Sequence, residues 1–160
     1  MTGPGLDWHE FSAARPDLAD AGKQLLYQYG VGLAFLSTVR LDGGPRVHPM
    51  CPLLSEDRLT AFLIPSPKSD DLRRDARYAM HSFPADDDED AFYLTGAARE
   101  IDDPDLRARL ERAYLAERPQ LVDLDLAGQS LFEFLVGTAM HTRTTGHGDP
   151  EPRHVVWTAP

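Results

Sequence analysis

Residues 33–64 contain three short apolar segments separated by turn-forming residues, and this pattern constrains the fold more than any other feature of the chain. The segments are rich in β-branched and aromatic residues, and we predict strands over residues 33–40, 46–54 and 59–64. Because turns this short join antiparallel neighbours, the three strands are expected to form a meander. Pro49 and Pro52 cannot donate ladder hydrogen bonds, which predicts that the second strand lies at a sheet edge or is bulged.

The rest of the chain adds helices and further strands. Asp103 and Pro104 form a cap and first-turn pair typical of a helix start, and Pro16 has the same first-turn position in an earlier apolar repeat. Gly96 interrupts a long strand pattern and predicts a bulge. We predict helices over 16–29, 67–76 and 104–117, and strands over 78–83, 91–101, 131–144 and 153–157. The expected class is α+β, mainly β, with about six antiparallel strands in a small barrel.

Length and charge restrict the function. The 160 residues fit a single domain over 1–160, and the formal net charge of −10 disfavours nucleic acid and anionic membranes as partners. Cys51, as a lone cysteine, indicates no internal disulfide, and no apolar run approaches the ~20 residues of a membrane span. Residues 1–10 lack the pattern of a signal peptide, so we expect a cytoplasmic protein. A phosphorylated ligand would require a local anion site.

The segment from Ser66 to Ser69 has the composition of such an anion site. Ser66 suits the N-cap of the predicted helix and Pro67 its first position. Backbone N–H groups of Lys68 and Ser69 would then point outward at the positive end of the helix dipole, beside the Lys68 ammonium and two serine hydroxyls. An ordinary capped surface helix has the same signature, so the pattern alone leaves both interpretations open.

A second polar feature lies on the predicted strand 46–54. Arg46 offers a planar guanidinium suited to phosphate or carboxylate, and His48 leaves the same strand face two residues later. Two exposed polar side chains on a solvated edge strand are the alternative interpretation. Three histidines near the end of the chain match no compact metal-binding spacing, so no metal site is predicted; these are His141, His147 and His154.

Taken together, the order of these motifs resembles the pyridoxamine 5'-phosphate oxidase-like superfamily. The resemblance rests on the strand 33–39, the run Arg46-Val47-His48-Pro49, the strand 59–64 and the run Ser66-Pro67-Lys68. The stretch 92–101 is similar to the next barrel strand of that superfamily, and residues 157–160 are similar to a common ending. The resemblance implies a six-stranded antiparallel split β-barrel with flanking helices. It also implies a homodimer with a flavin in each of two interface sites.

The resemblance also implies a role for particular residues. Arg46 and Lys68 would be basic ligands of the FMN phosphate, with the Ser66 hydroxyl beside them. The main chain of Val47, His48 and Pro49, and that of Ile64 and Pro65, would follow the isoalloxazine ring. Trp157 is either a core residue or a ring-stacking residue. The implied activity is that of an FMN-dependent oxidoreductase transferring hydride, with no catalytic acid or base assigned.

Two departures from the family pattern bear on the substrate. Members that oxidise pyridoxamine phosphate carry a glutamine-bearing pair where this chain has Asp90-Ala91, and they end in an arginine-bearing tail that residues 157–160 lack. A vitamin substrate is therefore not expected. Other branches bind the deazaflavin coenzyme F-420 or haem. An F-420-dependent reductase and a non-catalytic flavin-binding or sensing protein are the alternative functions.

Overall fold

The computed structural model of this chain describes residues 5–160; residues 1–4, part of the segment without a signal-peptide pattern, lie outside the described residues. The helices are α1 (Trp8–Ala14), α2 (Pro16–Leu26), α3 (Pro67–Arg74) and α4 (Pro104–Glu117), and a 3-10 turn covers Pro119–Leu121. The strands are β1 (Ala34–Val39), β2 (Pro45–Met50), β3 (Leu53–Ser55), β4 (Arg58–Leu63), β5 (Arg77–Ser82), β6 (Ala91–Glu100), β7 (Ser130–Arg143) and β8 (Arg153–Thr158).

All eight strands join one antiparallel sheet, in the order β2-β1-β5-β6-β7-β4-β3, with β8 added beside β7. The strands β2 and β3 lie at opposite ends of that order, yet only residues 51–52 separate them in the chain. The sheet must therefore curl until its two ends meet. This makes it a split barrel with flanking helices, as predicted for the fold class, but residues 5–160 form eight strands where six were expected.

The predicted three-strand meander is wrong in one respect. The segment 46–54 is two strands, because the chain leaves the ladder at residues 51–52, next to the proline that cannot donate a ladder bond. As a result β2 pairs with β1, whereas β3 pairs with β4, and β4 continues to β7 instead of β2. The prediction that this segment lies at a sheet edge is confirmed, because β2 and β3 are the two end strands of the order.

Local sequence explains the other elements. Asp103 caps α4 by accepting the N–H groups of Asp105 and Leu106 at 2.9 and 3.1 Å. The ladder between β6 and β7 shifts register between Thr95 and Gly96, the predicted bulge. A Cβ at Gly96 would lie 1.9 Å from the carbonyl oxygen of Leu135, so the approach of the two backbones requires glycine.

The hydrophobic core fills the barrel and the space beneath α1 and α2. Four phenylalanines are almost fully buried there: Phe11, Phe92, Phe132 and Phe134. A second cluster lies beneath α4, where Leu110 and Tyr114 contact Phe62 and Leu131. No helix within residues 5–160 is long and apolar enough to cross a membrane.

Candidate functional site

The segment of residues 64–69, which we call the α3 loop, connects the end of β4 to the start of α3. Ile64 is 55% exposed, and Pro65 is exposed beside it. Ser66 has an extended backbone (φ −167°, ψ 163°) and is the N-cap, and Pro67 is the first helical residue. The predicted helix start is confirmed, because the proline fixes φ for the first turn and needs no hydrogen-bond partner.

The two serines of the α3 loop have different environments. The Ser69 side chain is completely buried, and its hydroxyl donates to the Ser66 carbonyl at 2.8 Å and accepts the Ser66 N–H at 3.2 Å. The Ser69 N–H also donates to the Ser66 carbonyl, at 3.0 Å. Ser69 therefore does not face outward, contrary to the prediction, because the first turn uses its donors internally.

The Ser66 hydroxyl, in contrast, is buried at the capping-box position facing the Ser69 N–H, and its own proton has no acceptor among the described residues. A buried hydroxyl normally finds a partner, because an unpaired one keeps the cost of losing its water. Lys68, two residues later, is half-buried and forms no ion pair with the described residues. The helix start thus presents a hydroxyl proton without an acceptor and an unpaired ammonium at the positive end of α3.

Arg46 approaches α3 from the neighbouring strand β2. Its Nε donates to Oδ2 of Asp71 at 2.7 Å, and Asp71 is buried on α3. The same carboxylate accepts from the Thr38 hydroxyl at 2.9 Å and from the Arg74 guanidinium at 2.8 Å. Burial by itself would raise the pKa of Asp71, but the hydrogen bonds from Arg74, Arg46 and Thr38 outweigh it and lower the pKa to about 2.

The contact with Asp71 holds the Arg46 side chain in place but uses only part of its hydrogen-bonding capacity. Only Nε of Arg46 has a partner among the described residues, so both Nη groups are available to a ligand. Asp71 lies five residues beyond Ser66, which is about 7.5 Å along the axis of a helix. The two arginines and one carboxylate carry a net charge of +1, to which Lys68 adds another. Asp70 opposes them, but it is exposed and shares Arg73.

The predicted ring-binding positions lie on open surface. Val47 is 60% exposed, and His48 and Pro49 are exposed next to it along β2. Within residues 5–160 the strand β2 pairs with β1 alone, so its other edge has no strand partner there. Ile64 and Pro65 are exposed as well, so a single chain leaves both of these predicted ring-binding segments without cover.

Trp157 is not brought to the α3 loop. Its ring lies on β8 and contacts Phe11 of α1, with 5.2 Å between the ring centroids. The structure thus gives it the role of a partly buried core residue, one of the two interpretations that the sequence left open.

Two of the three histidines near the end of the chain form contacts with neighbouring polar groups of the described residues. His154 Nδ1 lies 2.9 Å from the Thr142 hydroxyl, and His147 Nε2 lies 2.9 Å from the Asp86 carbonyl oxygen. No group of three metal-binding side chains is found within residues 5–160.

Sequence reasoning missed Asp71, Thr38 and Arg74, which hold Arg46 in place. The spacing of Asp71 and Arg74 (i, i+3) on one helix could have indicated an ion pair. The contacts from Thr38 and Arg46 depend on how α3 lies against β1 and β2, and no local pattern predicts that placement.

Comparisons with known proteins support the fold. No family model matches the chain, and no curated protein matches it significantly. Among solved structures, a heme binding protein from Mycobacterium smegmatis is similar with a TM-score of 0.68 and 17% identity, over 90% of this chain and 59% of that one. This chain thus spans little more than half the length of that protein.

Two further solved structures match over most of both chains. A putative pyridoxamine 5'-phosphate oxidase from Listeria innocua has a TM-score of 0.58 and 14% identity, over 85% of this chain and 96% of that one. A NimC/NimA family protein from Clostridium acetobutylicum has a TM-score of 0.60 and 14% identity, over 88% and 94%. Identities this low establish a shared fold and leave function to the residues of the site.

Proposed function

We propose that this chain, which has the fold of the pyridoxamine 5'-phosphate oxidase-like split barrels, binds FMN at the α3 loop and is an FMN-dependent oxidoreductase. The buried Ser66 hydroxyl, whose proton has no acceptor within residues 5–160, is the observation that carries the proposal. A phosphate oxygen in front of the α3 N-terminus would accept from this hydroxyl and remove the cost of leaving it unpaired.

Two basic side chains would complete the phosphate site. The half-buried ammonium of Lys68 adds charge at the helix start, and Arg46 adds the two Nη groups that Asp71 leaves available. A guanidinium that is already fixed by a buried carboxylate loses little conformational freedom when it binds a phosphate. In a protein with a net charge of −10, this local excess of donors is what admits an anionic ligand.

The exposed residues of β2 and the α3 loop would hold the flavin ring. Val47, Pro49 and Ile64 offer apolar surface, and the adjoining main chain offers hydrogen-bonding groups. A bound flavin supplies hydride chemistry of its own, so the protein has to bind and orient it and limit access of water. The imidazole of His48 is exposed on the same strand and can donate or accept a proton near the ring.

We further propose that two chains form a homodimer around this site. The exposed apolar side chains of Val47 and Ile64 and the free edge of β2 lie beside the proposed phosphate site. A second chain would cover them and close the ring pocket. Light scattering at micromolar concentration should give twice 17.8 kDa, whereas a mass of one chain contradicts this part of the proposal.

A vitamin phosphate is not the proposed substrate. Asp90 occupies the position where pyridoxamine phosphate oxidases carry a glutamine-bearing pair. In this chain its side chain forms hydrogen bonds to Thr144. Its Oδ1 accepts from the Thr144 N–H at 2.6 Å and from the Thr144 hydroxyl at 3.1 Å. A carboxylate at this position also lacks the amide N–H donors that a glutamine would offer to a substrate.

The experiment that tests the proposed function compares FMN with riboflavin, which lacks the phosphate. Quenching of flavin fluorescence on binding measures both affinities. We expect FMN to bind at least about tenfold more tightly than riboflavin, because charged hydrogen bonds to the phosphate contribute about 1.5–3 kcal/mol. Equal affinities would contradict the phosphate site.

The same purified protein distinguishes the alternatives. Binding of coenzyme F-420 in preference to FMN would support a deazaflavin-dependent reductase. Preferential binding of haem would support a function like that of the similar heme binding protein from Mycobacterium smegmatis. Tight FMN binding without turnover of any electron donor would support a non-catalytic flavin-binding or sensing protein.

A further inference from the structure

A second cleft, distant from the α3 loop, lies between α1, α2 and the turn that joins β3 to β4. We call it the α1 cleft; it has a volume of about 220 Å³ and is lined by Trp8, Ser12, Lys23 and residues 54–58. Its turn is at the opposite end of β4 from the α3 loop, six residues or about 20 Å along the strand. A ligand here is therefore independent of the proposed flavin site.

Two polar atoms of this cleft's lining residues lack partners. The indole Nε1 of Trp8 and the hydroxyl of Ser12 are both buried without a hydrogen bond within the described residues. Trp8 is only 3% exposed, and Ser12 lies one helical turn later on α1, so the two side chains share a face of the helix. Such unpaired groups are rare in folded proteins, and an indole N–H can only donate.

The charges at the cleft leave one cation unpaired. Arg58 is bound to the buried Glu133 at 2.6 Å, and Glu56 accepts from Arg109 at 3.1 Å. Lys23 has no ion pair among residues 5–160 and is exposed at the cleft. The lining also contains Asp57, but its carboxylate is 81% exposed and faces His9 at 3.7 Å.

The turn that closes the cleft has an unusual backbone. Glu56 and Asp57 have φ angles of 54° and 55°, in the left-handed region that favours glycine. A two-residue hairpin turn of this kind is normally built from Asn-Gly or Asp-Gly. Strained residues of this type concentrate at binding and catalytic sites.

From these observations we infer that the α1 cleft binds a small carboxylate, with Trp8 Nε1 and the Ser12 hydroxyl as hydrogen-bond donors and Lys23 as the charge partner. A carboxylate is acceptor-only and has two oxygens, which suits two donors without partners on one helix face beside one cation without an ion pair among the described residues.

The test is an NMR titration with acetate at constant ionic strength. The chain has two tryptophans, so a ¹⁵N-labelled sample gives two indole N–H signals, and Trp157→Phe assigns the remaining signal to Trp8. We expect acetate to shift the Trp8 indole signal saturably and to leave the Trp157 signal unchanged. Methylammonium is the control ligand, because a cation would bind only if the carboxylates of Glu56 and Asp57 recognised it. It should shift neither indole signal.

Two charge variants complete the design. Lys23→Gln, at an exposed position, should weaken acetate binding by roughly tenfold or more, because it removes the charged partner. Arg112→Gln, which removes an exposed positive charge on α4, should leave the acetate affinity unchanged. The inference is overturned if acetate produces no saturable shift of the Trp8 signal, if methylammonium produces the shift instead, or if Lys23→Gln binds acetate as tightly as the unaltered chain.

Discussion

The Asp71 carboxylate offers the sharpest test of how the site is held together. It is 3% exposed and bound by Thr38, Arg46 and Arg74, and its pKa is about 2 against an ordinary value of 3.8. A shift of this size corresponds to about 2 kcal/mol of folding free energy at neutral pH. Asp71→Asn keeps the shape and removes the charge, so we expect a loss of about 2 kcal/mol at pH 7.

The sign of the pH dependence follows from the lowered pKa. A carboxyl whose folded-state pKa is depressed contributes its full stability above its unfolded pKa, and that contribution is lost as the pH falls towards the folded value. At pH 3 about half of it should be gone, so the difference between Asp71→Asn and the unaltered chain should shrink to about 1 kcal/mol.

Urea denaturation at pH 7 and pH 3 measures both quantities. Asp70→Asn is the matched control, since Asp70 is the preceding residue of α3 and its side chain is 72% exposed. Surface ion pairs of this kind contribute little, so the control should change stability by less than about 1 kcal/mol. The reasoning is refuted if the two variants are equally stable at pH 7, or if the cost of Asp71→Asn is the same at both pH values.

Three further outcomes are expected. Arg46→Ala should weaken FMN binding at least about tenfold in a fluorescence titration, while Arg77→Ala, whose side chain is 75% exposed, should not change it. Glu133→Gln should cost about 3 kcal/mol in urea denaturation, because two arginines bind this buried carboxylate and would lose it; an unchanged midpoint would contradict this. Gly96→Ala should lower the melting temperature strongly, because its Cβ would overlap the Leu135 carbonyl oxygen; a melting temperature equal to that of the unaltered chain would show that the bulge can relax.

Features that depend on neighbouring residues in the sequence could be predicted. The start of α4 follows from Asp103 and Pro104, and the bulge follows from Gly96, because caps and bulges depend on local backbone preferences. The N-cap at Ser66 was predictable for the same reason. The barrel itself followed from the number of short strands and from the family resemblance.

Features that depend on long-range packing could not be predicted. The split of segment 46–54 into β2 and β3 was missed, because the two halves pair with strands at opposite ends of the sheet. The inward orientation of Ser69 was also missed, because the sequence does not show which of the two serines, Ser66 or Ser69, directs its hydroxyl into the first turn of α3. The Arg46–Asp71 contact joins residues 25 apart in the chain, and it decides which atoms of Arg46 remain available.

The most direct test of the proposed phosphate site is a paired measurement on Lys68→Glu, namely FMN affinity and the melting temperature of the ligand-free protein. The variant replaces an attraction to the phosphate with a repulsion, in a partly buried location where charges are poorly screened. We expect FMN affinity to fall by at least about thirtyfold, or ~2 kcal/mol, with the melting temperature unchanged or slightly raised, since a carboxylate suits a helix N-terminus. Full FMN affinity in a folded Lys68→Glu variant would contradict the account.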